Sequence, residues 1–222
     1  SDFNIEPSHD LGTSSLKEIV KEAERLGYEY IAISDHNPST SKHDEKQIVD
    51  LIKRRNEHID QFISSCEKNM KIKIYKSLEI DILPNGKRAI PDAAMDLLDL
   101  AMISVHSNFR EGIEKQTQRV LSAMDHPKVK LFGHPTGRQL LQREGVEYDW
   151  ERIFEFCRKS KIWLEINASP QRLDLPDKWV REAIKNGVLL ALGTDSHDVR
   201  HMKFMPFGVD VARRGWAETK DV

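Results

Sequence analysis

Ile72-Lys73-Ile74-Tyr75-Lys76-Ser77-Leu78-Glu79-Ile80 reads as a β-strand that carries an acid out at its far end, with Asp81 directly behind. Such a run, rich in isoleucine and leucine and nearly continuous in apolarity, suits a strand covered on both faces. The same construction recurs at residues 3–6, 28–34, 100–105, 129–133, 162–167 and 188–194. Between the runs lie amphipathic segments at about 15–26, 44–66, 111–124, 149–160 and 176–186, and a short one at 91–98. The clearest is 15–26, where Leu16, Ile19, Val20, Ala23 and Leu26 share a face, Ser15 and Glu18 form a capping box, and Gly27 supplies the stop. Strands alternating with helices predict parallel β-α units with right-handed crossovers. Both a closed barrel and an open doubly wound sheet satisfy this pattern, and each gathers its chemistry at the carboxyl ends of the strands.

The chain-wide properties are those of one globular α/β domain spanning residues 1–222. Hydrophobic residues make up 39% and charged residues 32%, which excludes a disordered chain. No apolar run approaches the ~18 residues that span a bilayer, so no membrane is expected. The two cysteines, Cys66 and Cys157, form no C-x-x-C pair and read as buried thiols in a reducing compartment, the cytoplasm. A net charge of −2 gives no general attraction to nucleic acid, so any polyanion contact must come from a local patch or a metal.

The informative residues are those that follow the strands. Glu6, with His9 and Asp10, follows the first; Asp35-His36 the second; Glu79 and Asp81 the third; His106 the fourth; His134 the fifth. Glu165 and Asn167 lie on the sixth, and Asp195-Ser196-His197 closes the seventh. A single strand-end histidine is more often structural, and Asp35 also reads as a helix cap. His43, His58 and His126 read as solvated surface, and His201 stays open. Imidazoles and carboxylates arriving together at one rim point instead to divalent ions such as zinc, manganese or iron. The donors outnumber what one tetrahedral ion needs, so two or three ions sharing a carboxylate are expected. Closely spaced ions activate water and clamp phosphoryl oxygens. Arg110, just past His106, and Arg138, just past His134, are the candidate phosphate contacts, because guanidinium matches phosphate bidentately.

With these residues in hand, the chain resembles the PHP (polymerase and histidinol phosphatase) superfamily, and more narrowly the C-terminal PHP domain of bacterial family X DNA polymerases. The resemblance rests on Ile33-Ser34-Asp35-His36-Asn37, Leu78-Glu79-Ile80-Asp81-Ile82-Leu83-Pro84 and Ser104-Val105-His106-Ser107-Asn108-Phe109-Arg110. It continues through Gly133-His134-Pro135-Thr136-Gly137-Arg138, Leu164-Glu165-Ile166-Asn167, Gly193-Thr194-Asp195-Ser196-His197 and residues 208–216. It implies a distorted seven-stranded β/α barrel with a trinuclear metal centre at the C-terminal rim. Glu79, His106 and His134 would hold one ion. Glu79 and Asp195 would join a first-strand H-x-H pair on a second, and His36 and His197 would hold a third with a first-loop residue.

The first strand departs from that pattern. The H-x-H position falls on Asn4-Ile5-Glu6, and the loop ligand falls on Leu11. Glu6 remains able to ligate, and His9 and Asp10 stand nearby as substitutes. The ligands expected here are therefore Glu6, His36, Glu79, His106, His134, Asp195 and His197, with Glu79, Asp195, Arg110 and Arg138 in the chemistry. The resemblance implies a metal-dependent phosphoester hydrolase for DNA 3′ ends, a 3′–5′ exonuclease and 3′-phosphatase, with an incomplete ligand set. The alternatives are a catalytically silent module supporting a fused polymerase, for which Asn4 and Leu11 argue, and a phosphatase for small substrates such as histidinol phosphate. A start so close to the first strand is the expectation for a domain excised from a longer polymerase chain.

Overall fold

The computed structural model describes residues 12–66 and 70–222; the expected first strand at 3–6, with Asn4, Glu6, His9, Asp10 and Leu11, lies outside them. Six strands form one parallel sheet: β1 (Tyr30–His36), β2 (Lys73–Asp81), β3 (Ala101–Ser104), β4 (Val129–Phe132), β5 (Trp163–Asn167) and β6 (Leu190–Gly193). Their order in the sheet is their order in the chain. A doubly wound sheet reverses direction part-way; this one does not, which selects the barrel-type winding of the two left open by periodicity. His36, which ends the edge strand β1, and His197, in the loop after the opposite edge strand β6, have ring centres 6.1 Å apart. Outer strand ends so close mean that the sheet curls into a half-barrel. A seventh strand is not among the described residues.

The helices are α1 (Leu16–Arg25), α2 (Glu45–Cys66), α3 (Asp92–Met95), α4 (Ile113–Met124), α5 (Trp150–Ser160), α6 (Asp177–Lys185) and α7 (Met205–Arg214). Local chemistry explains where they start. Ser15 and Glu18 close a reciprocal capping box on α1, Asp44 accepts from Gln47 N at 2.8 Å, and Asp149 accepts from Arg152 N. Gly27 ends the first helical segment with φ of 77°, where a Cβ would be strained. None of the described helices is long and apolar enough to cross a membrane.

The main core lies between the sheet and the helices and includes Leu78, Ile80, Ile103, Phe132, Ile153, Leu164 and Ile166. A second cluster seats α1: Leu16, Val20 and Ala23 pack with Ile33, Ile59, Ile72 and Ile74. Three arginines brace the rim from below. Arg55 of α2 reaches β1, donating to Asp35 Oδ2 from Nε at 2.8 Å and to Ile33 O at 2.8 Å. Asp35 is thus an anchor for α2 and not a helix cap. Arg119 of α4 donates to Leu83 O and Ser107 O, both at 2.9 Å, and to Ile82 O, tying together the loops after β2 and β3. Arg138 is the third, described with the site. Of the thiols, Cys157 is buried as expected, whereas Cys66 is half-buried. His58 is exposed, but His43 and His126 are half-buried rather than solvated.

Candidate metal centre

Four strand ends converge on one buried carboxylate. Glu79, near the end of β2, is 4% exposed. His134 Nε2, after β4, lies 2.8 Å from Glu79 Oε1, and His106 Nε2, after β3, lies 3.2 Å from the same oxygen. His36 Nδ1, closing β1, is 3.8 Å from Glu79 Oε2. The imidazoles stand edge to face, with ring centres 5.2 Å apart from His36 to His106 and 5.0 Å from His106 to His134. Parallel register explains the meeting: β1 and β2 pair His36 with Glu79, and β2 and β3 pair Glu79 with Met102, so neighbouring strands finish at one level.

Asp81 adds a second layer. Its Oδ1 lies 2.7 Å from His106 Nδ1, and this fixes the ring with Nε2 toward Glu79. A carboxylate behind a histidine in this way orients the ring and raises its basicity toward a metal. Burial opposes a charge on either group. Hydrogen bonding to His106 and His134 nevertheless holds Glu79 well below the usual carboxylate range, and hydrogen bonding to Asp81 and Glu79 lifts His106 to about 9. The two carboxylates thus favour positive charge beside them, a proton on His106 or a metal cation that takes its place.

The donors fit a divalent ion. Glu79, His106 and His134 bring their ligand atoms within 4.8 Å of one another, and so do His36, Asp81 and His106. Ligands at about 2.0–2.2 Å from a shared ion occupy that span. His106 belongs to both groups, which makes the two candidate positions neighbours.

Asp195 and His197 stand on the same cavity wall, but outside both donor groups. Asp195 Oδ2 accepts from Asn167 Nδ2 and from Arg172 Nε, each at 3.1 Å, while His197 Nδ1 lies 2.9 Å from Asp195 O. Two residues after strands hold left-handed backbone, His134 at φ 27° and Asp195 at φ 50°. Side chains tolerate this conformation where the surroundings enforce it, commonly at functional sites. For His134 the enforcer is Glu165, whose Oε2 accepts from His134 N at 2.6 Å. Burial first, and then the Asp195 charge, push the Glu165 carboxyl up to about 8.

The structure does not bring the two expected arginines into this cavity. Arg138 donates to the carbonyls of Arg172 (2.8 Å) and Leu173 and so braces the loop after β5. Arg110 is exposed and lines an adjoining cavity with Asn108, Phe109 and Arg143. Arg143 and Arg172 line the metal-ligand cavity instead, together with Gln139. Sequence reasoning passed over both because neither abuts a strand end. The available signal was that each falls in a rim loop, after β4 and after β5. His201 stacks on Phe204, with ring centres 5.2 Å apart.

A singly wound parallel β/α sheet with imidazoles and carboxylates gathered at its carboxyl rim defines a barrel-type protein with a candidate metal centre. A family model described as PHP domain matches residues 6–169, and the chain belongs to that family. It is 33% identical over 221 residues to the "DNA polymerase/3′-5′ exonuclease PolX" of Bacillus subtilis; the match covers all of this chain and 38% of that protein. It is 26% identical over 196 residues to a "Probable phosphatase" of Clostridium acetobutylicum, covering 83% of this chain and 72% of the relative. Another "Probable phosphatase", from Caldanaerobacter subterraneus, is 25% identical over 194 residues, covering 83% and 70%.

Proposed function

We propose that the chain is a divalent-metal-dependent phosphoesterase acting on DNA 3′ ends, as a 3′–5′ exonuclease and 3′-phosphatase. The observation that carries this reading is the Glu79–His106–His134 donor group facing the same cavity as two arginines. Glu79, His106 and His134 would hold one ion, with Asp81 behind the His106 ring, and His36, Asp195, His197 and Glu6 would serve a further ion. Zinc, manganese and iron all suit such nitrogen and oxygen donors. When bound, such an ion supplies Lewis acidity toward a phosphoryl oxygen and lowers the pKa of its water.

The chain's own residues supply the rest. Asp81 keeps the His106 ring oriented, and Glu165 holds the backbone of His134. Burial, and next the Arg172 charge, lower the pKa of Arg143. Two guanidinium groups that repel each other on one cavity wall are relieved by an anion between them, and phosphate matches their donor geometry. The 540 Å³ cavity accommodates a nucleotide-sized group.

DNA as the substrate rests on the likeness to the polymerase/exonuclease, and a fused or associated polymerase in the cytoplasm is part of the same proposal. A small-molecule phosphatase is the second reading. It is favoured by the phosphatase relatives, of whose lengths the chain spans far more. Manganese-loaded protein should release phosphate from 3′-phosphorylated oligonucleotides and shorten recessed 3′ ends. Glu79→Ala and His134→Ala should each lower the rate by about 100-fold. Turnover of small phosphomonoesters alone supports the second reading. Equal rates in wild type and both variants contradict either, as does a wild type silent on every substrate.

A further inference from the structure

The loop after β4 closes into a tight turn whose feet are Gln139 and Arg143. Gln139 N donates to Arg143 O at 3.0 Å, Arg143 N to Gln139 O at 2.8 Å, and Gln142 N to Gln139 O at 3.0 Å. At its tip Leu140 is 39% exposed and Leu141 wholly exposed. Leu141 has φ of 64°, which leucine adopts only where neighbours hold it. They do so here. Leu140 N donates to Gln171 O at 2.7 Å, and the Arg143 guanidinium grips Gly137 O from Nε at 3.0 Å and from Nη2 at 2.7 Å. The same guanidinium lies 3.8 Å from the Phe109 ring centre. Two leucines are therefore held into solvent on a braced turn.

Place gives the turn its meaning. Gln139 and Arg143 line the cavity of Glu79, His106 and His134, while Gln142 and Arg143 line the adjoining cavity with Arg110. Arginines thus flank the tip on both sides. The acids of the adjoining cavity are Glu111, paired to Lys115 at 2.9 Å, and Glu144. His134 is 2% exposed, and a parted single strand, narrower than a duplex, reaches so recessed a group more readily than a paired end does. A paired 3′ end that parts leaves the face of the next base pair in need of an apolar cover.

We propose that Leu140 and Leu141 form a wedge that parts the 3′-terminal base pair of a DNA duplex, covers the next pair and sends the 3′ strand toward the rim cavity. Arg143 and Arg172 face the phosphates of the parted strand. This rests on the DNA-end reading above.

The test uses a duplex with 2-aminopurine at its 3′ terminus and a phosphorothioate linkage to block cleavage. Leu141→Gly removes the side chain while keeping a backbone conformation that glycine adopts freely, and Leu140→Ser is the second variant. Wild type should raise the 2-aminopurine fluorescence on binding, and both variants should not. In hydrolysis, the duplex-to-single-strand rate ratio should fall about tenfold in Leu141→Gly, with single-strand rates kept. A fluorescence rise unchanged in the variants overturns the wedge, as does an equal loss on both substrates. Single-strand hydrolysis by wild type without any rise also overturns the wedge while sparing the phosphoesterase reading. A rise that needs Leu141, with no DNA hydrolysed, keeps the wedge as a DNA-end contact and removes the hydrolysis of DNA ends.

Discussion

Glu165 stands behind the metal-ligand cavity rather than in it, and its hold on His134 N is one of the shortest polar contacts at the site. Room for it comes from Gly193, where an added Cβ would stand 2.0 Å from Glu165 Oε1. Glu165→Ala should therefore weaken cobalt binding by about 10–100-fold, read from the visible absorption of a cobalt titration, because outer partners of metal ligands carry effects of that size. Glu165→Gln keeps a carbonyl acceptor for His134 N and should stay close to wild type. Equal affinity in the alanine variant would mean that His134 holds its place unaided. A second residue-scale expectation concerns the thiols. Burial pushes Cys157 up to about 12, so it stays a protonated, shielded thiol at neutral pH, whereas Cys66 is half-buried. A thiol reagent should modify Cys66 alone in native protein and both cysteines after denaturation; rapid labelling of Cys157 in native protein would refute this. At this scale the imidazoles and Glu79 were legible because a strand end fixes where its last side chains go. Arg110 and Arg138 illustrate the limit. A guanidinium on a loop is aimed by the loop's own path, which no spacing reveals, and Arg138 spends its donors on carbonyls.

At the scale of elements, α2 shows what an apolar stripe conceals. Ile48, Ile52 and Ile59 are buried as the spacing requires, and so is Arg55, on the same face. A charge on an apolar face was the visible signal of a partner beneath, but its identity needed the sheet. Arg55 Nη2 lies 2.7 Å from Asp35 Oδ2, with the arginine side chain 0% and the aspartate 12% exposed. Removing one member of such a pair leaves the other charge under cover. Arg55→Ala should cost about 3–5 kcal/mol in urea unfolding. Arg54→Ala, at an exposed neighbour, should stay within about 0.5 kcal/mol. Comparable losses in both would mean that α2 is seated by its isoleucines alone.

At the scale of the whole molecule, alternation of strands and helices was plain in the sequence from Ile72 outward, and each of the six described strands overlaps an expected run, with β1 and β2 running on past theirs to His36 and Asp81. Winding was not plain, since closed and open sheets share one periodicity. Sheet order decides it, and sheet order is a property of the crossovers rather than of any run. The gathering of ligands follows from the same order, because consecutive strands that finish at one level deliver consecutive side chains to one cavity. The most direct test of that centre is elemental analysis of protein equilibrated with zinc or manganese and then freed of loosely held metal. Wild type should retain at least one equivalent of divalent metal per chain and Glu79→Ala should lose it, while Arg54→Ala retains it. A wild type that holds none, or a Glu79→Ala variant that holds as much as wild type, would contradict the account.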